Sequence, residues 1–157
     1  MDLDAWGQSV QASPFGVWAG GEAYPVAILV HILGLVMLVG GIGILDLRLM
    51  GLFRRIPTAP LAAALTPLAI AGLLLMVPSG ATMFASDASA LVNSDTFRTK
   101  LLLITLALAN AIAFRFIWHE RIAGWDVSPP IAGRLMASAS ILLWLSVAAL
   151  GRWIAYS

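Results

Sequence analysis

The chain has 157 residues, of which 61% are hydrophobic and only 11% charged, and its formal net charge is +1. A soluble domain carries about a quarter of its residues as charges, so this composition excludes a water-covered globule, and the near-neutral balance offers nothing to a nucleic-acid partner. There is no cysteine, which excludes disulfides, thiolate metal sites and thiol catalysis.

The first residues, MDLDAWGQSV, are acidic where a signal peptide is basic, so the membrane segments that follow are read as retained. The leader DAWGQSVQASPFGVW sets Trp6, Val10, Phe15 and Trp18 among small polar residues. That pattern predicts a segment lying in a membrane interface. Four apolar stretches come next, at about 24–45, 60–77, 97–117 and 131–156. Each approaches the roughly 20 residues that a helix needs to cross the hydrocarbon. Pro25 and Pro60 suit first turns, where a missing N–H costs little. Pro67 predicts a kink within the second span, and Pro78 with Ser79 and Gly80 marks its end. The following loop, SGATMFASDASALVNSDTF, is small and polar, with Ser94 or Asp95 placed to cap the third span. Pro129 and Pro130 stand just before the fourth. The predicted fold is all-α: an integral membrane four-helix bundle with an N-terminal interfacial segment, one transmembrane domain over residues 1–157.

Orientation follows from basic residues. The first and third connections carry Arg48, Arg54, Arg55, Arg115, Arg121 and Arg134, and the other side has Arg98, Lys100 and Arg152. This asymmetry predicts a bacterial inner-membrane protein with those two connections in the cytoplasm and both termini in the periplasm.

Ionisable side chains within spans are costly and face the bundle interior. His31 lies roughly 9 Å along the first span from Pro25, at 1.5 Å per residue, in the outer third of the bilayer. Gly34, Leu38, Gly41 and Leu45 share its stripe, and glycines there permit close approach by a neighbouring helix or a flat cofactor. Lys100 enters the third span from the same side. Gly72, Met76, Gly80 and Met83 form a stripe on the second. A shared outer pocket is the resulting expectation, with His31, Met76 and Lys100 as cofactor-binding residues and Arg152 placed to hold a propionate or lipid phosphate. Imidazole and thioether suit haem iron or copper(I), so haem b is the first cofactor indicated. Copper held by His31, Met76 and Met83 is the weaker alternative, and a cofactor-free bundle stays open. In that last reading the histidine hydrogen-bonds across helices, Lys100 snorkels and the methionines fill gaps.

His119 falls at the opposite membrane face, beside Glu120 and Arg121, which argues against one haem held by both histidines. Trp118 and Trp125 read as belt aromatics. Asp46 and Arg48 read as a structural pair ending the first span, with Asp46 accepting from Arg115 or Arg134 as the sharper version. Asn110, mid-span, is expected to hydrogen-bond a neighbouring helix. There is no HExxH, Walker loop or GxSxG, so no catalytic residue is assigned.

The stretch SPFGVWAGGEAYPVAILVHILGLVMLVGGIGILDLRLMGL, then FRTKLLLITLALANAIAF and LLWLSVAALGRWIAYS, resembles small bacterial four-span membrane proteins catalogued as a domain of unknown function. The resemblance rests on the span-one histidine and glycines followed by D-L-R-L-x-G, on F-x-x-K, and on G-R-x-I-A-Y. It implies a role for His31, Gly34, Gly40, Asp46, Arg48, Gly51, Lys100, Asn110, Gly151 and Arg152, and supports fold and membrane location. The start of span one is also faintly similar to the copper-resistance CopD membrane domain. Two classes follow. One is a haem- or metal-binding redox module serving electron transfer, with quinone or other membrane redox subunits as partners. The other is a cofactor-free accessory subunit, scaffold, or small-solute or proton pathway, with a homo-oligomer open in either case.

Overall fold

The computed structural model describes residues 2–127 and 129–154. It is all-α among them: α1 (Leu3–Gln11), α2 (Pro14–Gly20), α3 (Ala23–Met50), α4 (Thr58–Ser86), a short α5 (Ala88–Leu91), α6 (Asp95–Trp118), a 3-10 turn over Ile122–Asp126, and α7 (Ile131–Trp153). Helices α3, α4, α6 and α7 are each long and apolar enough to cross a membrane, and the chain is a multi-pass membrane protein.

The local signals act as their chemistry requires. Ser13 caps α2, accepting from the Gly16 amide, with Pro14 in the first turn. Ser94 caps α6, accepting from the Phe97 amide at 3.2 Å. Gly51 ends α3 in the left-handed region, φ 110°, which a residue without a Cβ enters at little cost. Pro78 does not end the second span. The helix runs on to Ser86 with both Pro67 and Pro78 inside it, so its stripe keeps its register. α3 also outruns its expected end, and Asp46 and Arg48 lie inside it. The last two residues assigned to the fourth span by sequence, 155 and 156, fall outside the described residues.

The helices stand in the order α4, α3, α7, α6. α3 packs on α4 and on α7, α7 packs on α6, and α6 hardly touches α4. At mid-depth Leu38, Ala69, Ala107 and Trp144, one from each span, join in a buried apolar layer. The α3–α4 contact is close because both helices present glycine. A Cβ on Gly34 would stand 2.7 Å from the Gly72 carbonyl oxygen, and one on Gly72 2.6 Å from that of Gly34.

The leader folds as two short helices at one end of the bundle, here the leader end. Gly7 lies against Val92 and the Ala88 carbonyl, Gln11 accepts from the Ser89 hydroxyl at 2.6 Å, and Trp6 meets Phe84 at 6.0 Å. Trp6, Phe15 and Trp18 keep exposed edges. The opposite, basic end holds the α3–α4 and α6–α7 connections. Trp125 is not a lipid-facing belt residue there. It is 4% exposed and packs edge-on against Phe114 at 5.6 Å and Trp118 at 5.2 Å, over Gly133, where a Cβ would collide with its ring.

Candidate functional site

Three polar arrangements interrupt the apolar bundle. The first lies near the leader end. α3 brings His31 against the Ser79–Gly80 turn of α4. Its Nδ1 is 3.0 Å from Ser79 Oγ, and its ring packs over Gly80, where a Cβ would lie 3.2 Å from Cε1. The Ser79 hydroxyl donates to the Leu75 carbonyl at 2.6 Å. With the Ser79 hydroxyl turned to Leu75, the ring meets Ser79 through an N–H at Nδ1, and the Met76 backbone is a further hydrogen-bond partner of the ring. Lys100 of α6 is close enough for its charge to act on the ring, and its ammonium also reaches Gly151 of α7, where a Cβ would lie 3.3 Å from Nζ. Met76 packs on Gly34, one turn along from His31. Met83 lies one turn beyond Ser79, and Arg152 follows Gly151 with an exposed side chain. Among the described residues no three histidine, aspartate or glutamate side chains converge on a metal position.

The second arrangement was not visible in the sequence. Because α4 and α6 fail to close, a cleft of about 680 Å³ lies between them, lined by residues of all four spans. It reaches from Gly41 and Leu108, just below the mid-depth layer, to Arg115 and His119 at the basic end. Its walls are alanine, leucine and isoleucine. Its polar groups are few: Asp46, Asn110, Ser140, Thr66, Arg115 and His119. Asp46 is 6% exposed, faces Ser140, and its Oδ2 is buried without a hydrogen-bond partner. Asn110 Nδ2 donates to the Met136 carbonyl of α7 at 3.1 Å. Ile70 and Ile112, on the two sides of the mouth, are exposed, so the cleft opens sideways toward lipid.

The third arrangement corrects the sequence reading of Asp46 and Arg48. They do not pair, nor does Asp46 accept from Arg115 or Arg134. Two residues apart on a helix, their side chains leave in nearly opposite directions. Arg48 points into the connections, is 2% exposed, and donates to the Ile56 carbonyl at 2.6 Å and to Asp126 at 2.7 Å. Asp126 also accepts from the Thr58 amide at 2.8 Å and from the Thr58 hydroxyl. The Thr58 hydrogen bonds, with the Arg48 guanidinium behind them, hold the Asp126 carboxyl below the usual carboxylate range. Asp126 carried no signal in the sequence, since a lone acid in a loop reads as solvated.

A family model described as "Family of unknown function (DUF6644)" matches residues 6–157. No curated protein and no solved structure matches the chain, and similarity to the CopD membrane domain is not shown.

Proposed function

The chain belongs to the DUF6644 family, and from its lateral cleft we propose that it binds a lipid-soluble amphiphile whose hydrogen-bonding head enters between α4 and α6. The carrying observation is Asp46 Oδ2, an oxygen buried without a partner in the wall of an otherwise apolar cleft. Such an atom is costly unless something supplies a hydrogen bond. A quinol fits this chemistry: an apolar tail in the bilayer, and a ring hydroxyl that donates to Asp46 Oδ2, with Ser140 and Asn110 beside it. The buried apolar layer of Leu38 and Trp144 separates this cleft from His31, which supports binding at two sites rather than conduction along one path.

The test is saturable quenching of tryptophan fluorescence by decylubiquinol, kept reduced under argon, with the protein in phosphatidylcholine nanodiscs. Asp46→Asn should weaken binding roughly tenfold, the scale of one hydrogen bond to a charged group, and Ala63→Phe, which fills the cleft, should abolish it. Unsaturable quenching, or equal affinity in all three proteins, would sink the reading. A second reading is favoured by the His31 ring, which its Ser79 bond orients as an outer hydrogen bond orients a ligand imidazole. There His31 would hold the iron of haem b or copper(I), and the bound group would supply one-electron chemistry. A Soret band in the same preparation, lost in His31→Ala, would establish haem at His31 beside the cleft, and a colourless preparation without copper by metal analysis would remove this second reading.

We place the protein in a bacterial inner membrane with its basic end in the cytoplasm and both termini in the periplasm, supported by the six-to-three distribution of basic residues. Membrane-impermeant thiol reagent added from the periplasm should label Ser89→Cys and spare Arg55→Cys; the reverse pattern inverts the topology.

A further inference from the structure

At the basic end, Arg54 and Arg134 converge on one point above Gly51. A Cβ on that glycine would lie 3.3 Å from Arg134 Nη2 and 3.4 Å from Arg54 Nη2. The left-handed glycine that ends α3 thus leaves the space in which two guanidiniums from different elements meet. They line a small cavity of about 60 Å³ together with Arg48, Trp125 and Asp126. That is about two waters' share of liquid volume, the scale of a single oxyanion group.

The charges there do not balance. Three arginines face one carboxylate. Asp126 Oδ1 already accepts from Arg48 and twice from Thr58, so it serves Arg48. Arg54 Nε donates to the Gly51 carbonyl at 3.0 Å, which brings no charge. Arg134 Nε is buried with no hydrogen-bond partner. Among the described residues the ion pairs are Arg48–Asp126 and Arg98–Asp95, so no carboxylate neutralises Arg54 or Arg134. Two guanidiniums held together repel each other unless an anion lies between them, and their planar forks match the oxygens of a phosphate.

We infer that Arg54 and Arg134, braced by the Arg48–Asp126 pair, form a binding site for a phosphate oxyanion at the membrane rim. The chemistry is that of an anionic phospholipid head or of a soluble phosphate. The two missing negative charges select an anionic lipid over a zwitterionic one. The site is independent of the cleft and of what the cleft binds.

The experiment has two arms on the full chain purified in neutral detergent. In the first, native mass spectrometry counts phosphatidylglycerol and phosphatidylcholine retained from an equimolar mixture. In the second, thermal unfolding is followed with and without inorganic phosphate. The expected result is retention of phosphatidylglycerol over phosphatidylcholine by about tenfold, the scale of a charge-assisted contact. Arg54→Gln should reduce that preference and Arg54→Gln/Arg134→Gln should remove it. Arg121→Gln, an exposed arginine of the same end, should leave it unchanged. Arg54 is exposed, so its single variant keeps the test readable if the double variant fails to fold. A phosphate-induced rise in melting temperature that needs both arginines, without a lipid preference, assigns the site to soluble phosphate. The inference is overturned if neither response depends on Arg54 and Arg134, or if Arg121→Gln loses as much as they do.

Discussion

Trp125→Ala should lower the stability of the bundle by about 3–5 kcal/mol, the range for emptying a large aromatic from a core. The indole is the wedge at the basic end. It packs with Leu49 of α3 and Ala137 of α7 in one buried cluster, with Phe114 and Trp118 of α6 against it. Gly133 gives it a floor without a side chain. The space it leaves cannot collapse easily, because α3 and α7 are already held by the mid-depth layer. The loss also loosens Asp126, the next residue, and with it the partner of a guanidinium that is 2% exposed. Unfolding of the purified variant by titration with sodium dodecyl sulfate measures this. A loss within about 0.5 kcal/mol, typical of surface substitutions, would show that the aromatic cluster supports nothing.

Gly72→Val should cost at least about 3 kcal/mol, the upper part of the range for overpacking. The new Cβ would stand 2.6 Å from the Gly34 carbonyl oxygen, 2.7 Å from the Leu38 amide nitrogen and 2.9 Å from Met37 Cβ. Two of those atoms are backbone, so no rotamer change relieves the contact and the helices must part. Ser79 sits two turns further along α4, and its bond to His31 would open with them. Gly43→Val is the control: nothing lies within 4 Å of a Cβ there, and its stability should change little. Equal melting temperatures for the two variants would remove close glycine packing as what holds α3 to α4.

Much of the scaffold is legible in the sequence. Four apolar runs mark the spans, Ser94 or Asp95 the start of α6, and the stripe through His31, Gly34 and Gly41 a face of α3 open to close approach by a helix or a flat cofactor, which α4 takes. Local signals did less well at the ends. Pro78 with Ser79 and Gly80 reads as a stop in water, but inside a membrane a helix continues through proline, since breaking it frees more backbone groups than the proline does. The polar partners were hidden for a different reason. Ser79, Ser140 and Thr58 are common residues with no sequence mark of burial. The link between Arg48 and Asp126 spans 78 positions, a separation at which no spacing rule operates. The cleft was least legible, because it arises from a contact that α4 and α6 do not make, and helical periodicity describes each span without fixing which neighbours touch.

That missing contact has a consequence for how the protein meets its surroundings. A recess that opens sideways is supplied in two dimensions, by molecules already dissolved in the bilayer. Its filling is set by their mole fraction among the lipids and not by their concentration in water. A compound that partitions strongly into membrane can then fill the recess despite weak intrinsic affinity, because occupancy depends on the ratio of local abundance to dissociation constant. The same arithmetic empties the recess when the bilayer is replaced by excess detergent, which dilutes every lipid-borne molecule at once.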